Sequence, residues 1–122
     1  MQALLIVAVA FHVLAGVSWA GSSFVLARNP AASSPGAIRA QLGASAIAIA
    51  AGVILWSLVR PPAASPSARV LALGAACAIL AAGVQVFLAA ARGGAERRVL
   101  GQRAAAGLLA VTVIAMATAR YA

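Results

Sequence analysis

The chain contains one histidine, His12, in the middle of an uncharged apolar run from Ala3 to Ala27. That run of 25 residues exceeds the roughly 20 needed to cross a bilayer as a helix. At about 1.5 Å per residue, His12 lies roughly 15 Å from the start of the run, near the membrane midplane. An ionisable side chain at that depth is costly and marks a functional site. The residues around it limit the chemistry. Glu96 is the only acid in the chain and lies outside every apolar run. Acid–base catalysis by paired carboxylates and proton-coupled antiport through an embedded glutamate are therefore excluded. One histidine and one cysteine, Cys77, fall short of the three or four ligands of a zinc site. The single cysteine also excludes an internal disulfide. A copper site is equally poor in ligands, with only Met1 and Met116 to add. Haem differs, because the porphyrin supplies four ligands and the protein needs to add only one or two.

His12 is thus a candidate metal ligand, as the axial ligand of a haem b. A chlorophyll-type pigment would use the same single histidine, and two copies of the chain in a homodimer would give a bis-histidine haem. The other reading is a packed imidazole hydrogen-bonded to a backbone carbonyl, a serine or a glutamine. On a helix, the face of His12 carries Ala8, Ala15, Gly16, Trp19 and Ser23. Trp19 offers a flat wall and an N–H, and Ser23 a hydroxyl. Arg39 and Arg103 stand near the ends of later runs, where haem propionates would want them. His12, Trp19, Ser23, Arg39 and Arg103 form the candidate cofactor-binding set. Comparable small or polar stripes recur downstream: Gln41, Ser45, Ala48, Gly52 and Trp56; Gly74, Cys77, Ala78, Ala81 and Gln85; Arg103, Gly107, Ala110 and Ile114. Such faces normally point into a bundle. Four of them would converge on a tight core or on a flat cofactor.

The elements that must position these residues are four apolar runs, at about 3–27, 37–59, 67–91 and 99–119. Arg28-Asn29-Pro30 and Ser33-Ser34-Pro35-Gly36 interrupt the first pair. Arg60-Pro61-Pro62 breaks the second run firmly, since proline removes a backbone donor and clashes with the preceding turn. Arg92-Gly93-Gly94 and Ala95-Glu96-Arg97-Arg98 form the last connection. Short connections force antiparallel neighbours. The expected fold is all-α: a four-transmembrane-helix up-down bundle, integral to the membrane, with residues 1–122 as a single membrane domain. Composition agrees. The 122 residues are 65% hydrophobic and only 8% charged, against about 25% charged in soluble domains. Met1-Gln2 carries no basic side chain, and the first run exceeds a signal-peptide core of about 7–15 residues, so it reads as a span rather than a cleaved leader.

The net charge of +8 would suggest nucleic acid in a soluble protein. Here the arginines cluster at the ends of the apolar runs, which points to headgroup anchoring and no nucleic acid. Arg28, Arg39, Arg92, Arg97, Arg98 and Arg103 mark one side, and Arg60, Arg69 and Arg120 the other. The positive-inside rule then puts the first and third connections in the cytoplasm and both termini in the periplasm of a bacterial inner membrane. A weak repeat offsets Arg28, Arg39 and Gly43 by 64 residues from Arg92, Arg103 and Gly107. The position matching His12 is Ala76.

Phe11-His12-Val13-Leu14-Ala15-Gly16-Val17-Ser18-Trp19-Ala20-Gly21 resembles the first-helix pattern of the CopD-like and HemJ-like membrane proteins, roughly H-x-x-x-G/A-x-x-x-W-x-G. Arg103-Ala104-Ala105-Ala106-Gly107-Leu108-Leu109 and Met116-Ala117-Thr118-Ala119-Arg120-Tyr121 look like the closing helix of small CopD-type proteins. The resemblance implies a small helical bundle whose first-helix His12, accompanied by Trp19 and Gly21, ligates haem b or takes part in copper handling. The chain has no lysine, so the protoporphyrinogen oxidation of HemJ-type enzymes is not carried over. The further histidines or methionines of copper importers are missing as well. The expected function is haem binding through His12 for electron transfer or haem handling. The alternatives are a non-catalytic accessory subunit of a larger respiratory or photosynthetic complex, and a copper-handling protein.

Overall fold

A computed structural model describes residues 1–91 and 93–122. Arg92, counted above among the arginines of the third connection, lies outside the described residues. Four helices follow one another: α1 (Gln2–Arg28), α2 (Pro35–Val59), α3 (Pro66–Ala90) and α4 (Ala95–Thr118). Short 3₁₀ turns occupy Pro30–Ala32 and Ala119–Tyr121. All four helices are long and apolar enough to cross a bilayer, with mean hydropathy of 2.2 for the first three and 1.7 for the fourth. The fold is the expected all-α four-helix bundle.

The same local device starts α2 and α3. Ser34 and Ser65 are N-caps, and each hydroxyl accepts a backbone N–H, from Ala37 at 3.1 Å and from Ala68 at 3.2 Å. Pro35 and Pro66 follow at the first helical position, where a missing N–H costs nothing. Ser34-Pro35, read from the sequence as part of an interruption, is therefore a helix start, and Ser65-Pro66 is another. α4 begins at Ala95, about a turn before the apolar run. Alanine, glutamate and arginine are good helix formers, and Glu96 in the first turn suits the positive end of the helix dipole. The helix thus extends past its apolar segment.

α1 packs most extensively on α2, and α3 on α4; α1 against α4 joins the two hairpins, while the α2–α3 seam is thin. The core is built of small residues. Trp19, Ala20, Ala48, Ala78, Ala81, Ala105 and Leu109 form its main cluster. Large apolar side chains such as Phe11, Leu14, Val17, Ile79, Leu80 and Phe87 point outward. Ser23, Gln41, Ser45, Gln85, Gln102 and Thr112 point inward. Water would favour the reverse, since an exposed apolar surface of that extent marks a membrane or partner contact. In lipid the arrangement is consistent, because small residues let backbones approach and polar groups bond across helices. The protein is a multi-pass membrane protein.

Two close approaches hold α3 to α4. Thr112 Oγ1 donates to the Gly74 carbonyl at 3.0 Å, and a Cβ on Gly74 would come within 3.1 Å of Ala115 Cβ. Gly101 is covered by Leu88, so that a Cβ there would overlap Cδ1 and approach Cγ to 2.8 Å. Gly101→Ala is expected to lower stability by about 1–2 kcal/mol, because overpacking forces the leucine off its rotamer. Unfolding the purified protein in mixed micelles measures this. In a Leu88→Ala background the cost should vanish; an equal cost in both backgrounds would refute the contact.

Candidate functional site

His12 sits in the α1–α2 seam and is partly buried. Its Nδ1 lies 2.8 Å from the carbonyl oxygen of Ala48, one of the buried small residues of α2. A carbonyl only accepts, so Nδ1 carries the proton. In the neutral ring this fixes the tautomer and leaves the Nε2 lone pair free. Nε2 has no hydrogen-bond partner among the described residues, yet it is not sealed away as a buried unpaired atom. Gly52, one turn beyond Ala48, makes the seat. A Cβ there would stand 3.0 Å from His12 Cε1 and 3.4 Å from Nδ1. The Cε1–Nδ1 edge of the ring therefore stands against bare backbone, with Nδ1 bonded and Nε2 without a protein partner among the described residues. Metal-ligating histidines are oriented in this way, by donating the second ring N–H to a carbonyl or carboxylate.

Trp19 and Ser23 belong to a different cluster. Seven residues along α1 place Trp19 about 10 Å from His12, toward the first connection. Its Nε1–H donates to Gln85 Oε1 of α3 at 2.7 Å. Gln85 Nε2 donates to Ser23 Oγ at 2.9 Å, and so does Gln41 Nε2 of α2, also at 2.9 Å. Ser23 Oγ in turn donates to the Trp19 carbonyl at 2.8 Å. Gln41 and Gln102 of α4 exchange two amide bonds, Gln102 Nε2 to Gln41 Oε1 at 3.1 Å and Gln41 Nε2 to Gln102 Oε1 at 3.3 Å. All four helices contribute to this layer. Ser23 is 0% and Gln41 1% exposed, so the layer is closed to solvent and lipid.

The expected site residues thus do not come together as one group. His12 stands in the α1–α2 seam, Trp19 and Ser23 are bound into the amide layer, and Arg39 and Arg103 are exposed on the outside of the bundle. The small faces of α1, α2 and α3 meet in a tight core at the level of Trp19 and Ser23, but the stripe drawn on α4 through Arg103, Gly107 and Ile114 points outward, and α4 instead turns Gly101, Gln102, Ala105, Ala106 and Leu109 into the core. Gln41 and Gln85 were legible as members of inward stripes. Gln102 was not, because it adjoins Arg103 and lies off the stripe drawn through that arginine. The signal that would have found it is an uncharged amide in each of the last three helices, 6 residues after the start of α2, 5 before the end of α3 and 7 after the start of α4.

Chemically, the layer carries no ionisable group, so it holds helices in register and has no charged form with which to relay a proton. Among the described residues no group of three or more His, Cys, Asp or Glu could hold a metal ion. A metal bound by protein side chains alone is not supported. A cofactor that brings its own ligands asks for one nitrogen, and Nε2 of His12 is such a nitrogen. Compared with protein-family models, curated proteins and solved structures, the chain finds no match in any of the three.

Proposed function

We propose that this multi-pass membrane protein binds haem b through Nε2 of His12 and serves in electron transfer or haem handling. The observation that carries the reading is the 2.8 Å bond from Nδ1 to the Ala48 carbonyl, which orients the ring and leaves the other nitrogen open. The partial burial of His12 and the glycine beneath it suit a fixed ligand in an apolar setting. A haem bound there would supply a one-electron centre, and the chain would supply the His12 Nε2 ligand and, through the Nδ1 bond to Ala48, its orientation. The first-helix motif adds the resemblance to CopD-like and HemJ-like proteins. Copper handling is less well supported, since no group of three or more His, Cys, Asp or Glu comes together among the described residues. In a bacterial inner membrane, the arginine distribution puts both termini in the periplasm.

The test is an absorption spectrum of the protein purified in mild detergent, from about 350 to about 700 nm, where porphyrin and chlorin bands fall. The expected result is a Soret band that His12→Ala abolishes while the helical content stays. A spectrum without porphyrin or chlorin bands, both as purified and after addition of haem, would falsify the proposal. The closed amide layer favours a second reading, a non-catalytic accessory subunit of a larger membrane complex. It fills the bundle interior at that level with side chains whose bonds stay within the layer. Co-purification of one stoichiometric membrane complex from native membranes, with no pigment on this chain, would support that reading instead.

A further inference from the structure

On the outside of α4 an open groove of about 420 Å³ is lined by Ala95, Glu96, Val99, Leu100 and Arg103. It combines the only carboxylate of the chain with an arginine and an apolar floor. Arg103 is eight residues into α4, about 12 Å along the axis from the helix start. It is exposed, and it lies on the lipid-facing outside of the bundle below the level of Glu96. A charge at that depth needs a partner or must reach back to the interface. Helical side chains lean toward the N-terminus, so the guanidinium reaches toward the headgroup layer. Glu96 lies on the same side of the helix, nearer the water, in the first turn.

We propose that this groove binds one phospholipid whose headgroup carries a phosphate and a primary ammonium, of the phosphatidylethanolamine type. The order of charges decides the class. In such a lipid the phosphate is nearer the hydrocarbon and the ammonium nearer the water. The groove offers arginine on the deeper side and carboxylate on the outer side, with Val99 and Leu100 between them for the start of an acyl chain. A guanidinium meets a phosphate through paired hydrogen bonds, and a primary ammonium donates hydrogen bonds to a carboxylate. An anionic headgroup would satisfy Arg103 but place its remaining polar surface against Glu96. A quaternary ammonium has no N–H to give.

The test is native mass spectrometry of the whole protein released from mixed micelles with phosphatidylethanolamine, phosphatidylglycerol or phosphatidylcholine at equal concentration. One retained phosphatidylethanolamine is expected, at several-fold higher occupancy than either other lipid. Glu96→Gln should erase that preference while phosphate binding persists, and Arg103→Ala should reduce retention of all three. Both residues are exposed, and unchanged helical content in each variant keeps the comparison valid. Equal or better retention of phosphatidylglycerol, strengthened by Glu96→Gln, would overturn the proposal in favour of an anionic-lipid site. No lipid retained, or retention unaffected by both substitutions, overturns it too, leaving Glu96 and Arg103 to pair with each other.

Discussion

Gln41→Leu is expected to destabilise the bundle by about 3 kcal/mol, and adding Gln102→Leu should recover part of that loss. Gln41 makes three bonds in the layer, two with Gln102 and one with Ser23. Interhelical hydrogen bonds in membrane proteins average only about 0.6 kcal/mol each, so the lost bonds account for roughly 2 kcal/mol. The remainder comes from what is left behind. Leucine would leave the Gln102 amide buried with neither of its cross-helix bonds, and an unpaired buried polar group costs about 1–3 kcal/mol. Removing that amide as well takes away the orphan. The double variant should therefore be more stable than the sum of the two single losses by about 1–2 kcal/mol, as expected for groups that share a bond. Equilibrium unfolding in mixed micelles on the four members of the cycle measures this coupling. Strict additivity would show that the two amides do not act as a pair.

The location of the layer gives it a further consequence. Trp19–Gln85, Ser23–Gln85 and Gln41–Gln102 all run from the first hairpin to the second. The α2–α3 seam adds little, so the layer and the α1–α4 contact together set how the hairpins meet. An apolar core of alanines is nearly featureless, and its register would slide at small cost. Amides that find partners at only one register remove that freedom, as a single buried asparagine does in a coiled coil.

The span pattern was readable in the sequence because a bilayer imposes a length and an apolar character on each helix. Helix starts were harder to read. Ser34-Pro35 and Ser65-Pro66 carry turn-forming residues yet begin helices, the preceding ones having already ended at Arg28 and Val59, and α4 runs past the apolar boundary because helix propensity does not stop where lipid does. The site was legible only in pieces. The stripe through His12 correctly named Trp19 and Ser23 as inward residues, since 3.6-residue periodicity fixes a face. It does not fix depth or partner. His12 and Trp19 share that face two turns apart, yet one meets the Ala48 carbonyl and the other an amide of α3. Which helix lies opposite each level depends on how the hairpins dock, and a single stripe does not encode that. Arg39 and Arg103 entered as charges near helix ends. Both lie outward, Arg103 one residue past the inward pair Gly101 and Gln102 of α4 and Arg39 two residues before the buried Gln41 of α2.

If His12 ligates haem as proposed, Gly52→Ala should weaken haem binding by about 10–100-fold while leaving the histidine in the chain. Altering groups that orient a ligating histidine typically costs that much affinity. The added methyl would stand 3.0 Å from Cε1 and 3.4 Å from Nδ1 of His12, tighter than most carbon contacts, so the imidazole must give by a few tenths of an ångström. The ring must therefore rotate or α1 must move off α2, and either change lengthens the 2.8 Å bond to Ala48. The stability cost is smaller, about 1 kcal/mol, since the seat is only partly buried. These two sizes separate the readings of His12. An imidazole that only packs predicts the small stability loss and nothing more. An imidazole that ligates iron predicts the same loss together with a right-shifted haem titration and a changed Soret position. Titrating haem into Gly52→Ala, His12→Ala and the parent protein under one set of conditions compares them. If Gly52→Ala binds haem as tightly as the parent while His12→Ala does not, the histidine ligates without help from its seat, and the Ala48 bond loses its role in orienting it.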